Sequence, residues 1–358
     1  MKNVLFLSAY CAAYKGNFIP SLEYLEDAYN GGRCIYVFPQ SAKQVAWMFA
    51  FQKKHSVYFL PDPFFGKKTS LDLLKRLNTL LKKEDIHVVH THFLTYNYSL
   101  FLAKYTFARN IKFIAHVHNQ FVIPHTKSAS IKKFVMEQTY DTLIGVSGSV
   151  AEGLKSQLNH NNITYINNAI YFPRLEHYEK ICLRNNDSQK VVMMAGWPAL
   201  VKGVDIAAKA ILLLRNEGHD IKLCIMQSGD TGQTKKCIIA AINDCPEWIE
   251  ILPPREDVAT YYNAVDVFLS SSRIEAFSYC LVEAAYCAPS LISSDIPGPG
   301  DLQIPGLLLF PKEDIYSLKN ILETTLLNSK DKNVDRKDKV QRLYGLKEWA
   351  AKVILQYV

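Results

Sequence analysis

SSSRIEAFSYCLVEAAYCAPSLISSD, residues 270–295, holds a strand end, a short polar loop, a helix and a second strand. The strand closes at Ser270–Ser272, and the loop carries Glu275. A helix is expected from Phe277 to Cys287, with Glu283 on it, and Ala288-Pro289 stops it. PSLIS then opens the next strand. A strand, a crossover helix and a strand in this order form a parallel unit. The free N–H groups of Phe277, Ser278 and Tyr279 would sit where the first strand ends, and such a helix start suits an anion. Glu275 and Glu283 suit paired sugar hydroxyls. By spacing alone, though, two glutamates eight residues apart read as solvated helix faces.

The same alternation runs outward in both directions. Strands are expected at 190–195, 221–227, 249–252, 266–270, 289–293 and 307–310. Helices are expected near 203–217, 233–243, 256–264, 277–287, 313–328 and 340–357. Before them, strands at 3–9, 33–38, 56–60, 86–92, 111–117, 142–147 and 163–167 alternate with helices near 18–29, 41–54, 70–83, 96–109, 128–139 and 148–158. Continuous apolar strands between amphipathic helices indicate parallel sheets covered on both faces. The polar stretch 176–189 interrupts the series. The expected fold is α/β, with two doubly wound Rossmann-like domains and a ligand cleft between them. Their expected bounds are 1–172 and 173–340, with the C-terminal helix 341–358 packing back onto the first.

A length of 358 residues suits two domains, and 49% hydrophobic residues with 21% charged excludes a disordered chain. The apolar start MKNVLFLSAYCAAYKGNF reads as a first strand entering a loop rather than a signal peptide. Eight scattered cysteines without a CxxC read as reduced thiols in a cytoplasmic protein. The net charge of +7 is uneven: residues 40–133 carry 15 Lys/Arg against 4 Asp/Glu. Such a stretch favours an anionic partner, and a membrane surface is the expected one. In KQVAWMFAFQKKH, 43–55, helical spacing puts Val45, Met48 and Phe49 on one face and Trp47 and Phe51 opposite, beside Lys43 and Lys54. FFGKK at 64–68 adds two more lysines.

Around the opening stretch lie AGWPALVKGVDIAAKAILLL from 195, with Gly196 and Lys202-Gly203, and PPREDVATYYNAVDVFLSSS from 253. NNAIYFP stands at 167–173 and Trp349 near the end. This order resembles the retaining GT-B glycosyltransferases of family 4, also called group 1. Glu275, Glu283 and EAAYCAP look like that family's "EA…G.P" segment. Lys202-Gly203 matches its "KG", and NNAIYFP resembles its interdomain turn. The resemblance implies transfer of a hexose or N-acetylhexosamine from a nucleoside-diphosphate sugar, in cell-surface polysaccharide or glycoconjugate synthesis. The implied acceptor is a glycan or a polyprenyl- or other lipid-linked molecule. Lys202 would neutralise the diphosphate, and Glu283 would hold the ribose. Glu275, with the amides of Phe277, Ser278 and Tyr279, would hold the sugar and β-phosphate. His118 in the first domain would face the donor sugar, and Gly16 would approach the diphosphate. Gly196 and Trp197 follow the first donor-domain strand.

Three positions depart from the family pattern. Trp197 stands where the family usually has Arg, so Arg255 or Arg273 is the expected replacement cation. Ala288 replaces a glycine, and one glycine, Gly16, remains of a usual pair. No D-x-D occurs, which argues against a metal-dependent GT-A enzyme. No cofactor and no metal are expected, and positive side chains and a helix start would do the work of a divalent ion. His90, His92, His116 and His118 read as satisfied strand-end histidines, with a sugar contact for one of them and a metal site as the alternatives; Glu84, Asp85 and Glu137 are the closest acids in sequence. A nucleic-acid partner is not expected. A dehydrogenase is disfavoured, because no G-x-G-x-x-G follows a strand. A GT-B sugar-nucleotide epimerase and a non-catalytic sugar-nucleotide binder remain as alternatives. The expected location is cytoplasmic, peripheral on the inner face of the plasma membrane.

Overall fold

In the computed structural model, residues 1–62, 71–124, 126–227, 229–327 and 334–358 are described. The FFGKK stretch, with Lys67 and Lys68, lies outside them. The chain divides into two units, Met1–Ala169 with Leu346–Val358, and Ile170–Gly345. The sequence reading placed these boundaries at 172/173 and 340/341.

The first unit holds β1 (Asn3–Ser8), β2 (Cys34–Pro39), β3 (Ser56–Leu60), β4 (Ile86–His92), β5 (Lys112–Val117), β6 (Thr142–Gly145) and β7 (Ile163–Tyr165). They pair in parallel, in the order β3-β2-β1-β4-β5-β6-β7. The inner strands β1 and β2 are apolar runs because helices cover both faces of the sheet, whereas β4 carries His87, His90 and His92 among its apolar residues. On one face Val4, Phe6, Tyr36, Val88 and Ile114 pack against Ile19, Leu22 and Leu25 of helix Phe18–Ala28. Trp349, Ala350 and Val353 of helix Leu346–Ile354 join the same core.

The second unit holds β8 (Lys190–Ala195), β9 (Ile221–Met226), β10 (Ile249–Leu252), β11 (Val267–Ser270), β12 (Ser290–Asp295) and β13 (Leu307–Pro311). The order is β10-β9-β8-β11-β12-β13, again parallel. Val192, Ile225, Leu269 and Phe310 pack against Ile206, Ala210 and Leu214 of helix Val204–Asn216 and Leu318 and Leu322 of helix Ile315–Leu327.

Both sheets reverse strand order once, between β1 and β4 and between β8 and β11. Loops leaving adjacent strands in opposite directions open a crevice at their carboxyl ends. The loop after β1 contains Gly16, and β4 ends at His92. The loop after β8 contains Lys202, and the loop after β11 contains Glu275.

Three expected helices differ in detail. The one expected at 340–357 is two, Val334–Tyr344 and Leu346–Ile354, followed by a 3-10 turn. Gly345 separates them, where a helix former is absent and the Ile170 N–H reaches the Tyr344 carbonyl at 2.7 Å. The helix expected from Phe277 starts at Tyr279. The segment 43–55 begins with a 3-10 turn, and its α-helix spans Ala46–Lys54. It buries Met48 of one expected face and Trp47 and Phe51 of the other, so the Trp47/Phe51 face is not a membrane-contact surface. Trp47 and Phe51 meet Phe38 edge-on at 5.7 and 5.8 Å, and Trp47 Nε1 donates to the Ala12 carbonyl at 2.9 Å. Phe49 alone of these aromatics is exposed, with Lys53 Nζ 4.0 Å from its ring centre.

Candidate functional site

In the second unit, two glycines shape the loop between β8 and its helix. Gly196 lies against Ile225, whose Cγ2 would stand 2.1 Å from an added Cβ. Gly203 has φ +69°, and a Cβ there would come 1.9 Å from the Ser271 carbonyl oxygen. The close approach lets Ser271 Oγ donate to the carbonyls of Gly203 and Lys202, at 2.9 and 3.2 Å. Arg273 adds three links: its N–H to the Val201 carbonyl at 2.8 Å, its Nη1 to Leu200 at 2.6 Å, and a fork on Asp205 at 2.8 and 2.7 Å. The loops after β8 and β11 are therefore stitched together, and Lys202 Nζ forms an ion pair with the Glu275 carboxylate. Gly203→Ala should cost more than the usual ~1 kcal/mol penalty for misplaced backbone, since left-handed φ and a backbone clash coincide. A thermal melt checks this, and a melting temperature equal to wild type would refute the close approach.

Glu283 is 3% exposed, on helix Tyr279–Cys287. Its Oε1 accepts from Arg174 Nη2 at 2.5 Å and its Oε2 from the Tyr262 hydroxyl at 3.1 Å. Arg174 lies in a 3-10 turn, Phe172–Leu175, at the end of the NNAIYFP stretch. Neither partner was singled out from sequence. The signal was a lone Arg beside a turn, which becomes informative only once its carboxylate is buried. Beside this pair, burial and then the Glu283 charge push the Cys280 thiol up to about 11, so it is no nucleophile at neutral pH.

The amides expected to open the helix are displaced. Phe277 is buried against Tyr279 and Tyr344, with ring centres at 5.3 and 5.9 Å. Ser278 takes the N-cap position, and the Tyr279 N–H bonds the Phe277 carbonyl at 3.1 Å. Phe277 and Ser278 thus belong to the loop, and the helix offers the amides after them. Trp197 is half-buried, with its ring so close to Gly229 that a Cβ there would stand 2.3 Å away.

The two replacement cations are engaged elsewhere. Arg255 forms a fork on Asp257, at 2.8 Å to each oxygen, and reaches Glu179 at 3.2 Å. Arg273 holds Asp205 and Glu313. Both guanidiniums are stabilised in their charged form by these carboxylates. Each guanidinium is held by carboxylates of the protein, as Lys202 is by Glu275.

In the first unit, Gly16 has φ +56° in the loop after β1, under the Tyr10 hydroxyl. That hydroxyl donates to the Tyr14 carbonyl at 2.9 Å and closes the loop. His118 follows β5. Its Nε2 lies 2.9 Å from His92 Nδ1, and its ring stacks on Phe93 at 4.5 Å. Burial lowers its pKa well below the ordinary value, so it is a neutral hydrogen-bonding group at pH 7.

Comparison with known proteins places this geometry. The model of glycosyl transferases group 1 matches residues 179–341, and that of glycosyltransferase family 4 matches 36–171. An uncharacterized glycosyltransferase of Haemophilus influenzae is 23% identical over 257 residues, covering 70% of this chain and 69% of its own. HepE of Anabaena, solved with UDP and glucose, superposes with a TM-score of 0.78 at 15% identity, over 99% of each chain. Sucrose-phosphate synthase of Thermosynechococcus elongatus gives 0.78 at 16% identity, over 100% of this chain and 98% of that one. At such identities these two likenesses establish the fold, two doubly wound domains of GT-B type. With a family match on each unit, in the right order, the chain belongs to the group 1, family 4 glycosyltransferases.

Proposed function

We propose that the protein transfers a hexose or N-acetylhexosamine, with retention, from a nucleoside-diphosphate sugar to a glycan or lipid-linked acceptor in cell-surface glycoconjugate synthesis. The observation that carries this reading is the Lys202–Glu275 pair, held at the point where strand order reverses. HepE, by its description, was solved with UDP-glucose as well as UDP, which favours a nucleotide-sugar donor here.

The chemistry follows from charge. Breaking the glycosyl–phosphate bond leaves negative charge on the diphosphate and positive charge on the sugar. Donor binding exchanges the Lys202 partner: Nζ turns from Glu275 to the diphosphate, and the freed carboxylate accepts from sugar hydroxyls. The barrier falls because Lys202 meets charge that grows in the transition state. Glu283 uses one lone pair of each oxygen on Arg174 and Tyr262. These two bonds orient the carboxylate that would meet the ribose hydroxyls. Gly16 lets its loop approach the donor, and neutral His118 supplies a hydrogen bond to the sugar. The leaving phosphate takes the acceptor proton, so no separate general base is assigned. No cofactor is assigned to the transfer step.

Incubation with a series of nucleotide sugars tests the reading. Transfer releases nucleotide only with a second substrate, epimerisation changes the donor without one, and a binder releases nothing. Epimerisation or no release across the series would overturn the proposal.

We also propose that the basic first unit rests on the inner, anionic leaflet from the cytoplasmic side. Among the described residues, no helix is long and apolar enough to cross a membrane. Lys43, Lys53 and Lys54 flank the exposed Phe49. Attraction of about 1 kcal/mol per basic residue would give salt-sensitive attachment. Vesicle sedimentation should show binding to anionic but not neutral lipid, and loss on changing these three lysines to Ser. Equal partitioning onto both lipids would remove the membrane from the account.

A further inference from the structure

Four histidines of the first unit converge on one face of its sheet. His90 and His92 alternate on β4, His116 lies on β5, and His118 follows it. His92 and His116 are direct cross-strand partners. Ring centres lie 4.5 Å apart for His90–His92, 5.6 Å for His90–His116 and 5.3 Å for His92–His116. His90, His92 and His116 are each at most 1% exposed. One ring nitrogen from each lies within 4.8 Å of the other two.

Their hydrogen bonds are one-sided. His90 Nδ1 meets the Tyr357 hydroxyl at 2.8 Å, and His92 Nδ1 meets His118 Nε2 at 2.9 Å. Among the described residues, the buried Nε2 atoms of His90 and His92 have no hydrogen-bond partner. A buried polar atom without a partner is rare in folded proteins and points to a water or an ion. Two such atoms in one cluster call for a common ligand.

We propose that His90, His92 and His116 form a site for one late first-row transition-metal ion, zinc or copper(I), which braces the first unit. The ligand chemistry selects that class. Imidazole nitrogens suit zinc and copper, whereas magnesium and calcium require oxygen ligands. Imidazole coordinates in its neutral form, and these rings are buried. With the Nδ1 atoms of His90 and His92 engaged by Tyr357 and His118, their Nε2 atoms are the nitrogens left to coordinate. A hydrogen bond on the far nitrogen that fixes the tautomer is the usual support of a metal-bound histidine. Zinc–nitrogen bonds of about 2.0–2.1 Å need ligand atoms about 3.4 Å apart. The rings, lying 29°, 10° and 22° apart in plane, must turn toward a common point and close by up to about 1.4 Å, with water completing the coordination. The bound ion would join β4 to β5 and, through Tyr357, to the 3-10 turn Leu355–Tyr357. The sequence favours satisfied strand-end histidines over a metal at these pairs, and the site touches the proposed transfer only through His118, the hydrogen-bond partner of His92.

The test uses the full chain, stripped with chelator and then titrated with Zn²⁺ or, without oxygen, Cu⁺. The expected result is one ion bound per chain and a rise in melting temperature with ion concentration, with Mg²⁺ and Ca²⁺ inert. The tighter of the two ions identifies the occupant. Tyr357→Phe keeps the buried ring and should weaken binding at least tenfold, and His116→Phe by a larger factor. X-ray absorption on wild-type protein reads the ligands directly, so the result does not depend on the variants folding. Three imidazole nitrogens support the site. No binding, a shell of oxygen or sulfur, or unchanged affinity in both variants overturns it and leaves ordered water as the partner of the two Nε2 atoms.

Discussion

Lys202→Ala should lower turnover by about 10²-fold or more, the scale of losing a group that meets developing charge. Its effect on donor affinity is smaller, because in the free protein Lys202 already has a partner in Glu275. Removing the lysine leaves that carboxylate, 15% exposed at its side chain, beside the incoming diphosphate. Glu275→Gln separates the two contributions: it removes the competing pair but keeps a hydrogen-bonding group for the sugar. The expected pattern is a large loss in kcat for Lys202→Ala and a smaller change, divided between kcat and KM, for Glu275→Gln. Steady-state kinetics with the donor identified by screening provides the check. Wild-type turnover in Lys202→Ala would show that the diphosphate is held elsewhere.

The second large effect is on stability. Arg174→Ala strands the Glu283 carboxylate, which is 3% exposed and keeps only the Tyr262 hydroxyl of the two partners described above. Breaking a buried pair from one side costs about 3–5 kcal/mol, because the surviving charge has lost its compensation. Glu283→Ala strands Arg174 with a similar penalty and also removes the proposed ribose contact. The double variant should be more stable than the sum of the two losses, by a coupling energy of 0.5 kcal/mol or more, since neither charge is then left behind. Denaturant melts of the four proteins measure this cycle. Simple additivity would mean that the pair is solvated and does not hold Glu283 in place.

The candidates Lys202-Gly203 and Glu275 come from the family resemblance, since spacing alone reads such glutamates as solvated; Gly203 takes positive φ in the structure. The sequence does not carry the partner of each charge. Arg273 looked like a spare cation, but Asp205, 68 positions earlier, lies across the switch point and takes its guanidinium. Arg255 is taken by Asp257, two residues on, which a local reading can notice. Arg174 was passed over because a single Arg after a turn gives no sign of burial. The strands were easy to place because a parallel sheet writes most of them as apolar runs. Helix ends were harder: Phe277 fits a helix by pattern, but its ring is taken by Tyr344, which lies 67 positions away in sequence. The helix at 43–55 was misjudged for a related reason. Trp47 and Phe51 look like a second apolar face until Phe38 is seen to pack against both.

The central claim is that the loops holding Lys202 and Glu275 bind the diphosphate of a nucleotide sugar. Thermal stabilisation by a panel of nucleotide sugars, on wild type and Lys202→Ala together, tests it most directly. A ligand at 100 times its Kd adds about 2.7 kcal/mol, which raises the melting temperature of a domain of 150–250 residues by roughly 5–10 °C. The account predicts such a shift for at least one nucleotide sugar in wild type and a smaller one in Lys202→Ala. A panel that shifts neither protein, or shifts both equally, would contradict it.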